Sequence, residues 1–235
     1  MPLDNVAQFS FEHLPQHVHV RFEKPFTVVS SAVLNGGMVQ ASHIVNRNVP
    51  LTMDSPERPE ESLARYCCDH GWQGKAVGMM TAASMDSFVM KEETHQGVSI
   101  AVLVTAGLSN ARRVGDPAEY RQMSDEPDEL GTINIIVITT ATLIPAAMIE
   151  SILIVTEAKV AALQKANILS PISNEVATGT GTDSVAVASA NEARRVAFCG
   201  KHVLFGEVLG RLVFEAVLES IQWEFYAQNS VESMD

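Results

Sequence analysis

Small polar residues gather where four apolar runs of the sequence stop, and these clusters are where chemistry is most plausible. They are residues 30–31 with 35–37, 105–110, 131–134 and 178–183. Buried polar groups cost free energy unless they are hydrogen-bonded, and binding sites in α/β sheets form beyond strand ends. Turn preference alone explains any one cluster. Together they favour a shared site, and its substrate-binding candidates are Ser31, Asn35, Gly36, Thr105, Ser109, Asn110 and Asn134.

The most unusual cluster alternates threonine with glycine, in the segment Thr178-Gly179-Thr180-Gly181-Thr182-Asp183. Such a loop exposes backbone N–H groups that cradle an anion or an oxyanion. No lysine follows in a G-K-[ST] arrangement, and a strand rather than a helix comes next, so neither nucleotide-binding glycine motif is present. We therefore add Gly179, Thr180, Gly181 and Thr182 to the substrate-binding candidates.

The acid–base candidates are scattered along the chain. His43 and His202 lie in apolar neighbourhoods, and Glu157 interrupts an apolar helical run. Each also has a structural explanation: a hydrogen-bonded core histidine, or a carboxylate on a solvated helix face. His17 and His19 predict an exposed strand face rather than a metal site. The sequence contains no H-E-x-x-H and no G-x-S-x-G motif.

The elements that must position these residues alternate between strands and helices. Period-2 and β-branched runs predict strands at 17–23, 26–34, 98–105 and 132–139, the first two forming a hairpin that turns at Lys24-Pro25. Residues 38–53 look extended or irregular, and 112–129 form a solvated loop. Helices are predicted at 62–69, 145–166 and 206–228. In the second helix the apolar face comprises Ile149, Ile152, Leu153, Thr156, Val160 and Leu163.

This order predicts an α/β or α+β fold: a single domain over residues 1–230 with a mixed β-sheet packed against helices, then a polar tail at 231–235. The net charge of −12 argues against a nucleic-acid binder. The three cysteines do not form a disulfide framework, which is typical of a reducing compartment. The N-terminus does not resemble a secretory signal. We therefore expect a cytoplasmic protein. Residues 130–149 are uncharged, but their threonines, Asn134 and Pro145 predict a strand, a turn and a helix start rather than a membrane span.

Several of these segments occur in one order that resembles the adenosylcobinamide amidohydrolase family of corrinoid salvage. The resemblance covers about residues 26–218, and the ordered set carries it rather than any single motif. The segments are residues 30–37, 77–83, 104–111, 131–136, 156–159 and 177–183.

The resemblance implies hydrolysis of the aminopropanol amide of adenosylcobinamide to give adenosylcobyric acid, without an established metal or organic cofactor. The implied partner is a small-molecule corrinoid, with no nucleic acid or membrane, and a homo-oligomer is compatible with the apolar helices. Amide hydrolysis needs a nucleophile, an oxyanion pocket and an acid. We expect a water activated by Asp183 or Glu157 and an amine protonated by His43 or His202. A hydroxyl nucleophile (Ser31, Thr105 or Thr180) is the alternative mechanism. A non-catalytic corrinoid-binding module and a nucleotide-dependent transferase are the alternative functions.

Overall fold

A computed structural model describes residues 8–50, 57–119, 122–123, 132–191 and 194–232, with side chains to residue 223. The helices are α1 (Pro59–Asp69), α2 (Pro145–Ala166) and α3 (Leu204–Glu232). The strands are β1 (Phe9–Leu14), β2 (His17–Ser30), β3 (Gly37–Asn48), β4 (Ala76–Thr81), β5 (Val89–His95), β6 (Val98–Ala106), β7 (Ala111–Arg112), β8 (Ile133–Thr139), β9 (Thr142–Leu143), β10 (Gly179–Thr180), β11 (Ser184–Ser189) and β12 (Arg195–Val196).

The main sheet is mixed, which confirms the predicted fold class. Its strand order is β4-β3-β2-β11-β8-β6-β5, with β1 paired to β2. β8 and β11 run parallel, as do β3 and β4, whereas β2 is antiparallel to both of its neighbours in that order. Asn134 faces Thr105 on one side and Ser184 on the other. The end of β6 and the starts of β8 and β11 therefore lie side by side at the same end of the central strands.

Strand β2 corrects the predicted hairpin. Residues 17–23 and 26–30 form one strand, whose register with β3 shifts between Arg21 and Phe26. A bulge bends a strand and increases its local twist, and an irregular ladder accommodates Pro25, which has no N–H to donate. Val18 and Val20 consequently pack in one cluster with Leu103 and Ile136. The second half of β2 pairs with β11, which is next to β8 and β6 in the sheet. The first half of β2 thus packs on the face of these same strands.

Three hydrophobic cores separate four layers. The largest lies between α2, α3 and one face of β5, β6, β8 and β11. The second lies between the other face of that sheet and the layer formed by β2, β3 and β4. The third packs Leu63 and Cys67 of α1 on Val45 and Met80. The end of β6 and the starts of β8 and β11 thus lie between the helix layer and the layer of β2, β3 and β4.

Helix α2 has the predicted limits but not the predicted buried face. Pro145 occupies its first turn, and Asn167 ends it with φ of 53°; both are strong boundary signals. Its buried residues are Ala147, Met148, Ser151, Ile154, Val155, Ala158, Lys159, Ala162 and Leu163. The small alanines allow close packing against α3 and the sheet. Of the apolar face expected from sequence, Leu163 is buried, whereas Ile149 and Leu153 are exposed.

The remaining predictions lie partly outside the described residues. Helix α3 extends the predicted 206–228 at both ends, so Val231 and Glu232 of the expected tail are helical, and 233–235 are not described. The predicted loop at 112–129 is described only through Glu119 and at residues 122–123. Among the described residues, no helix combines the length and apolar character that crossing a bilayer requires.

Candidate active site

A cleft of about 770 Å³ lies beside the Gly/Thr loop. Its walls come from that loop (178–183), from the segment after β6 (Asn110 and 112–119), and from Thr156, Lys159 and Val160 of α2. The pairing of β7 with β10 joins the first two walls, with Thr180 opposite Ala111. A cleft of this size accommodates a drug-sized group.

Asp183 and Lys159 form the charged centre of the cleft. Their side chains are only 12% and 10% exposed, and Lys159 Nζ donates to Asp183 Oδ2. Asp183 Oδ1 accepts from the Thr180 hydroxyl (2.6 Å) and from the backbone N–H of Ile133 (3.0 Å). The Thr180 N–H also donates to this carboxylate, 3.1 Å from Oδ2. A buried charge needs such a full set of partners.

Gly179 leaves space for this ion pair. A Cβ built there would overlap Asp183 Oδ2 and lie 2.7 Å from Lys159 Nζ. The glycine therefore makes the space in which loop and helix charges meet. At Gly181, by contrast, a Cβ would meet only Asn110 Nδ2, at 3.3 Å.

Behind the loop lies a buried polar network that includes two of the predicted binding residues. Asn134 Nδ2 donates to Asn46 Oδ1 (2.7 Å) and to the Met80 carbonyl (2.8 Å), and Asn46 Nδ2 donates to Thr105 Oγ1 (2.8 Å). The Thr132 hydroxyl lies 3.2 Å from Asn134 Oδ1 and donates to the Thr182 carbonyl (2.6 Å). Thr105 and Asn134 are thus fully buried and support the loop from within.

The other predicted binding residues lie in three different places. Asn110 lines the cleft, and its buried Oδ1 has no hydrogen-bond partner among the residues that the structure describes. Ser31 is exposed, with its hydroxyl 3.3 Å from that of Ser184, and Ser109 is exposed beside the cleft segment. Asn35 and Gly36 hold the β2–β3 turn instead. Asn35 donates to the Ala76 carbonyl (2.7 Å) at φ of 55°, and a Cβ at Gly36 would overlap the Ala32 carbonyl. Gly131 lies outside the described residues.

Glu157 and His202 lie outside the cleft. The Glu157 side chain is 57% exposed and pairs with Lys201, which is itself mostly exposed. His202 is exposed in the turn before α3. The solvated-face interpretation of Glu157 therefore matches its position, whereas Lys159, two residues later, faces the interior.

His43 belongs to a separate histidine cluster on the outer face of β1, β2 and β3. Its Nε2 donates to the Gln73 carbonyl (2.7 Å), and its Nδ1 lies 3.0 Å from His19 Nε2. His19 Nδ1 lies 3.1 Å from Glu12 Oε1, and the His19 ring stacks on Trp72 at 3.7 Å. These groups line a different cavity, of about 370 Å³.

Burial governs the titration of the histidine cluster. It lowers the pKa of His19 to about 4, against the opposing hydrogen bond to Glu12. Burial likewise lowers the pKa of His17. Partial burial acts to raise the pKa of Glu12, but the hydrogen bonds with His19 and His17 outweigh it and leave that pKa lowered. The expected exposed face for His17 and His19 is therefore wrong: both are buried, in contact with Trp72. No group of three or more metal-ligating side chains occurs in the described part of the chain.

Sequence reasoning missed two residues of this site, Lys159 and Asn46. Lys159 lies four residues after Val155 and four before Leu163, so helical spacing puts it on their buried face. A lysine on a buried stripe is a signal for a buried acidic partner. Asn46 interrupts the apolar run of β3, which is a weaker signal.

The arrangement supplies the parts that acyl transfer needs. A hydroxyl (Thr180) hydrogen-bonds a carboxylate (Asp183), a cation (Lys159) neutralises that carboxylate, and Gly181 exposes backbone at the loop tip. A hydroxyl bonded to a base is the arrangement of an activated nucleophile. The cleft is wide enough to bring an amide to that hydroxyl.

Comparison with known proteins identifies the family of this chain. Residues 3–227 match the sequence profile described as adenosylcobinamide amidohydrolase. The chain is 30% identical over 208 residues to an adenosylcobinamide amidohydrolase of Methanosarcina mazei, which covers 84% of this chain and 88% of that protein. It is 34% identical over 201 residues to an uncharacterized protein of Methanocaldococcus jannaschii, covering 79% and 78% of the two chains.

Among solved structures, a Burkholderia sp. beta-aminopeptidase matches 88% of this chain and 77% of its own, at 13% identity and a TM-score of 0.45. A likeness this distant carries no argument about the site. The family match and the Methanosarcina mazei relative identify the family. We conclude that the chain is an amide hydrolase that belongs to the adenosylcobinamide amidohydrolase family.

Proposed function

We propose that this enzyme hydrolyses the amide between aminopropanol and the corrin ring of adenosylcobinamide, releasing adenosylcobyric acid for cobamide assembly in the cytoplasm. The family membership and the name of the Methanosarcina mazei relative support the substrate. The observation that supports the position of the reaction is the Thr180 hydroxyl, hydrogen-bonded at 2.6 Å to a carboxylate that is ion-paired with Lys159.

In the proposed reaction, Thr180 Oγ1 attacks the amide carbonyl carbon while its proton passes to Asp183 Oδ1. The oxyanion is held by backbone N–H groups at the loop tip around Gly181. The C–N bond then breaks, and the leaving amine takes a proton from the Asp183–Lys159 pair. Water cleaves the resulting ester and restores the threonine hydroxyl, so that one water is consumed for each amide hydrolysed.

This route is favoured over direct attack by an Asp183-activated water. Both oxygens of Asp183 already accept hydrogen bonds, from Ile133, Thr180 and Lys159. A water would have to displace one of these donors to reach the carboxylate. The Thr180 hydroxyl is already hydrogen-bonded to Asp183. Asp183 is thus the adjacent base for a hydroxyl nucleophile, which the sequence alone did not reveal.

The test is to incubate the purified enzyme and its Thr180 variants with adenosylcobinamide and to follow the loss of aminopropanol by mass spectrometry. Thr180→Val removes the hydroxyl with little change in shape, and we expect at least a thousandfold lower turnover. Thr180→Ser keeps the hydroxyl and should retain turnover within about tenfold. Glu219→Gln, which alters an exposed pair with Lys91, is the control.

The outcomes separate the mechanism from the function. If Thr180→Val cleaves at the wild-type rate, the nucleophile is wrong and an activated water takes its place. If the wild-type enzyme releases no aminopropanol but binds the corrinoid, the proposed reaction itself fails.

A further inference from the structure

Helix α2 exposes an apolar stripe that leads into the cleft. Ile149 and Leu153 are 57% and 58% exposed. Thr156 and Val160 follow at helical spacing on the same side, and both line the cleft. The stripe therefore runs along the helix from its first turns to the wall that carries Lys159.

An exposed phenylalanine lies beside the start of this stripe. Phe198 is 70% exposed, and the next residue, Cys199, donates its backbone N–H to Glu150 of α2 at 2.5 Å. A Cβ at Gly200 would come within 2.9 Å of Glu150 Oε1. The chain around Phe198 is thus held close to Glu150, in the first turns of the helix that also carries Ile149.

Single exposed apolar side chains need no explanation, but a grouped surface does. Exposed apolar patches mark ligand grooves or protein interfaces. Here the patch is continuous, through Thr156 and Val160, with the cleft that holds the Asp183–Lys159 ion pair. That continuity favours a ligand which places a polar arm in the cleft and an apolar body outside it.

We propose that Ile149, Leu153 and Phe198 form the docking surface for the macrocycle of the substrate. This inference rests on the proposed function. A corrin ring with its side chains and upper ligand is too large for a cleft of about 770 Å³, whereas the aminopropanol arm fits. When the amide reaches Thr180, the ring lies outside the opening, where its methyl-bearing edge is covered by the stripe.

The surface is tested with the double variant Ile149→Gln/Leu153→Gln and with Phe198→Ser. All three side chains are exposed, so folding should be preserved. We expect the KM for adenosylcobinamide to rise about tenfold in the double variant with kcat within about twofold, because the lost contacts are made equally in the ground and transition states. The control is Ile172→Gln, an exposed apolar residue on another segment.

Two further measurements make the result specific. Turnover of N-acetyl-1-amino-2-propanol, an amide with no macrocycle, should be the same in wild type and variants. Binding of cobinamide, followed by its visible absorption, should weaken in parallel with KM. This binding readout supports the surface even if the wild-type enzyme cleaves no amide.

The surface assignment is overturned if the variants bind cobinamide as tightly as wild type. It is also overturned if they lose affinity for the macrocycle-free amide to the same degree. Sedimentation velocity decides the remaining case: a wild-type dimer that the variants convert to monomers, with KM unchanged, identifies the stripe as a contact between two copies of this chain.

Discussion

The cleft and the histidine cluster are both built from buried, hydrogen-bonded ionisable groups, yet they differ in what remains available for chemistry. In the cluster, both ring nitrogens of His43 and of His19 already have partners. In the cleft, the Thr180 hydroxyl is bonded to Asp183 and lies on the wall of an open space. Because the histidine cluster also lines a cavity, the comparison teaches that open space beside buried ionisable groups is not sufficient: a candidate reactive site also needs a nucleophile bonded to a base, as Thr180 is to Asp183.

The largest expected effect contrasts a cleft carboxylate with the other predicted acid–base residues. Asp183→Asn should lower kcat at least a thousandfold, because it removes the base and leaves Lys159 facing an amide. Glu157→Gln should stay within about twofold, since Glu157 is solvated. Steady-state kinetics on adenosylcobinamide, with circular dichroism to verify folding, measures both. A His43→Asn variant as inactive as Asp183→Asn would break the comparison.

A second effect concerns the space around the ion pair. Gly179→Ala should reduce kcat about a hundredfold, because its Cβ forces Asp183 and Lys159 apart. Gly181→Ala is the matched change two residues away, where the Cβ meets only Asn110 Nδ2; we expect a loss of less than about tenfold. Equal losses in the two variants would show that loop flexibility, rather than the ion pair, is what glycine provides.

The smallest effect is on stability, and it belongs to the histidine cluster. The folded-state pKa of His19 is about 4, against 6.5 ordinarily. The unfolded chain therefore takes up the proton first, and stability present above pH 6.5 is lost as the pH falls from 6.5 to 4. We expect a loss of about 2 kcal/mol from this group. Urea unfolding at pH 7 and pH 4.5 should reveal it, with a weaker pH dependence in His19→Gln. An identical pH dependence in that variant would assign the effect to His17, whose pKa is also lowered by burial.

Local sequence signals determined the elements that carry the site. Pro145 and Asn167 bound α2 because one needs no N–H partner in the first turn and the other tolerates a left-handed backbone. Continuous β-branched runs marked β6 and β8, which are buried on both faces. The Gly/Thr alternation marked the loop before β11. These features depend on neighbours within a few residues, so the sequence alone is sufficient to predict these helix boundaries, strands and loop.

Only the tertiary structure decided which of these elements meet. The bend in β2 folds the sheet over itself and puts His43 in a different cavity from Asp183. Close packing against α3 and the sheet selected the alanine-bearing face of α2, which buried Lys159 and left Leu153 outside. Asp183 and Lys159 are 24 residues apart, and their pairing follows from how helix and sheet pack. Packing is a property of whole surfaces: spacing within α2 puts Lys159 on one face with Val155 and Leu163, but it does not determine which acidic residue that face meets.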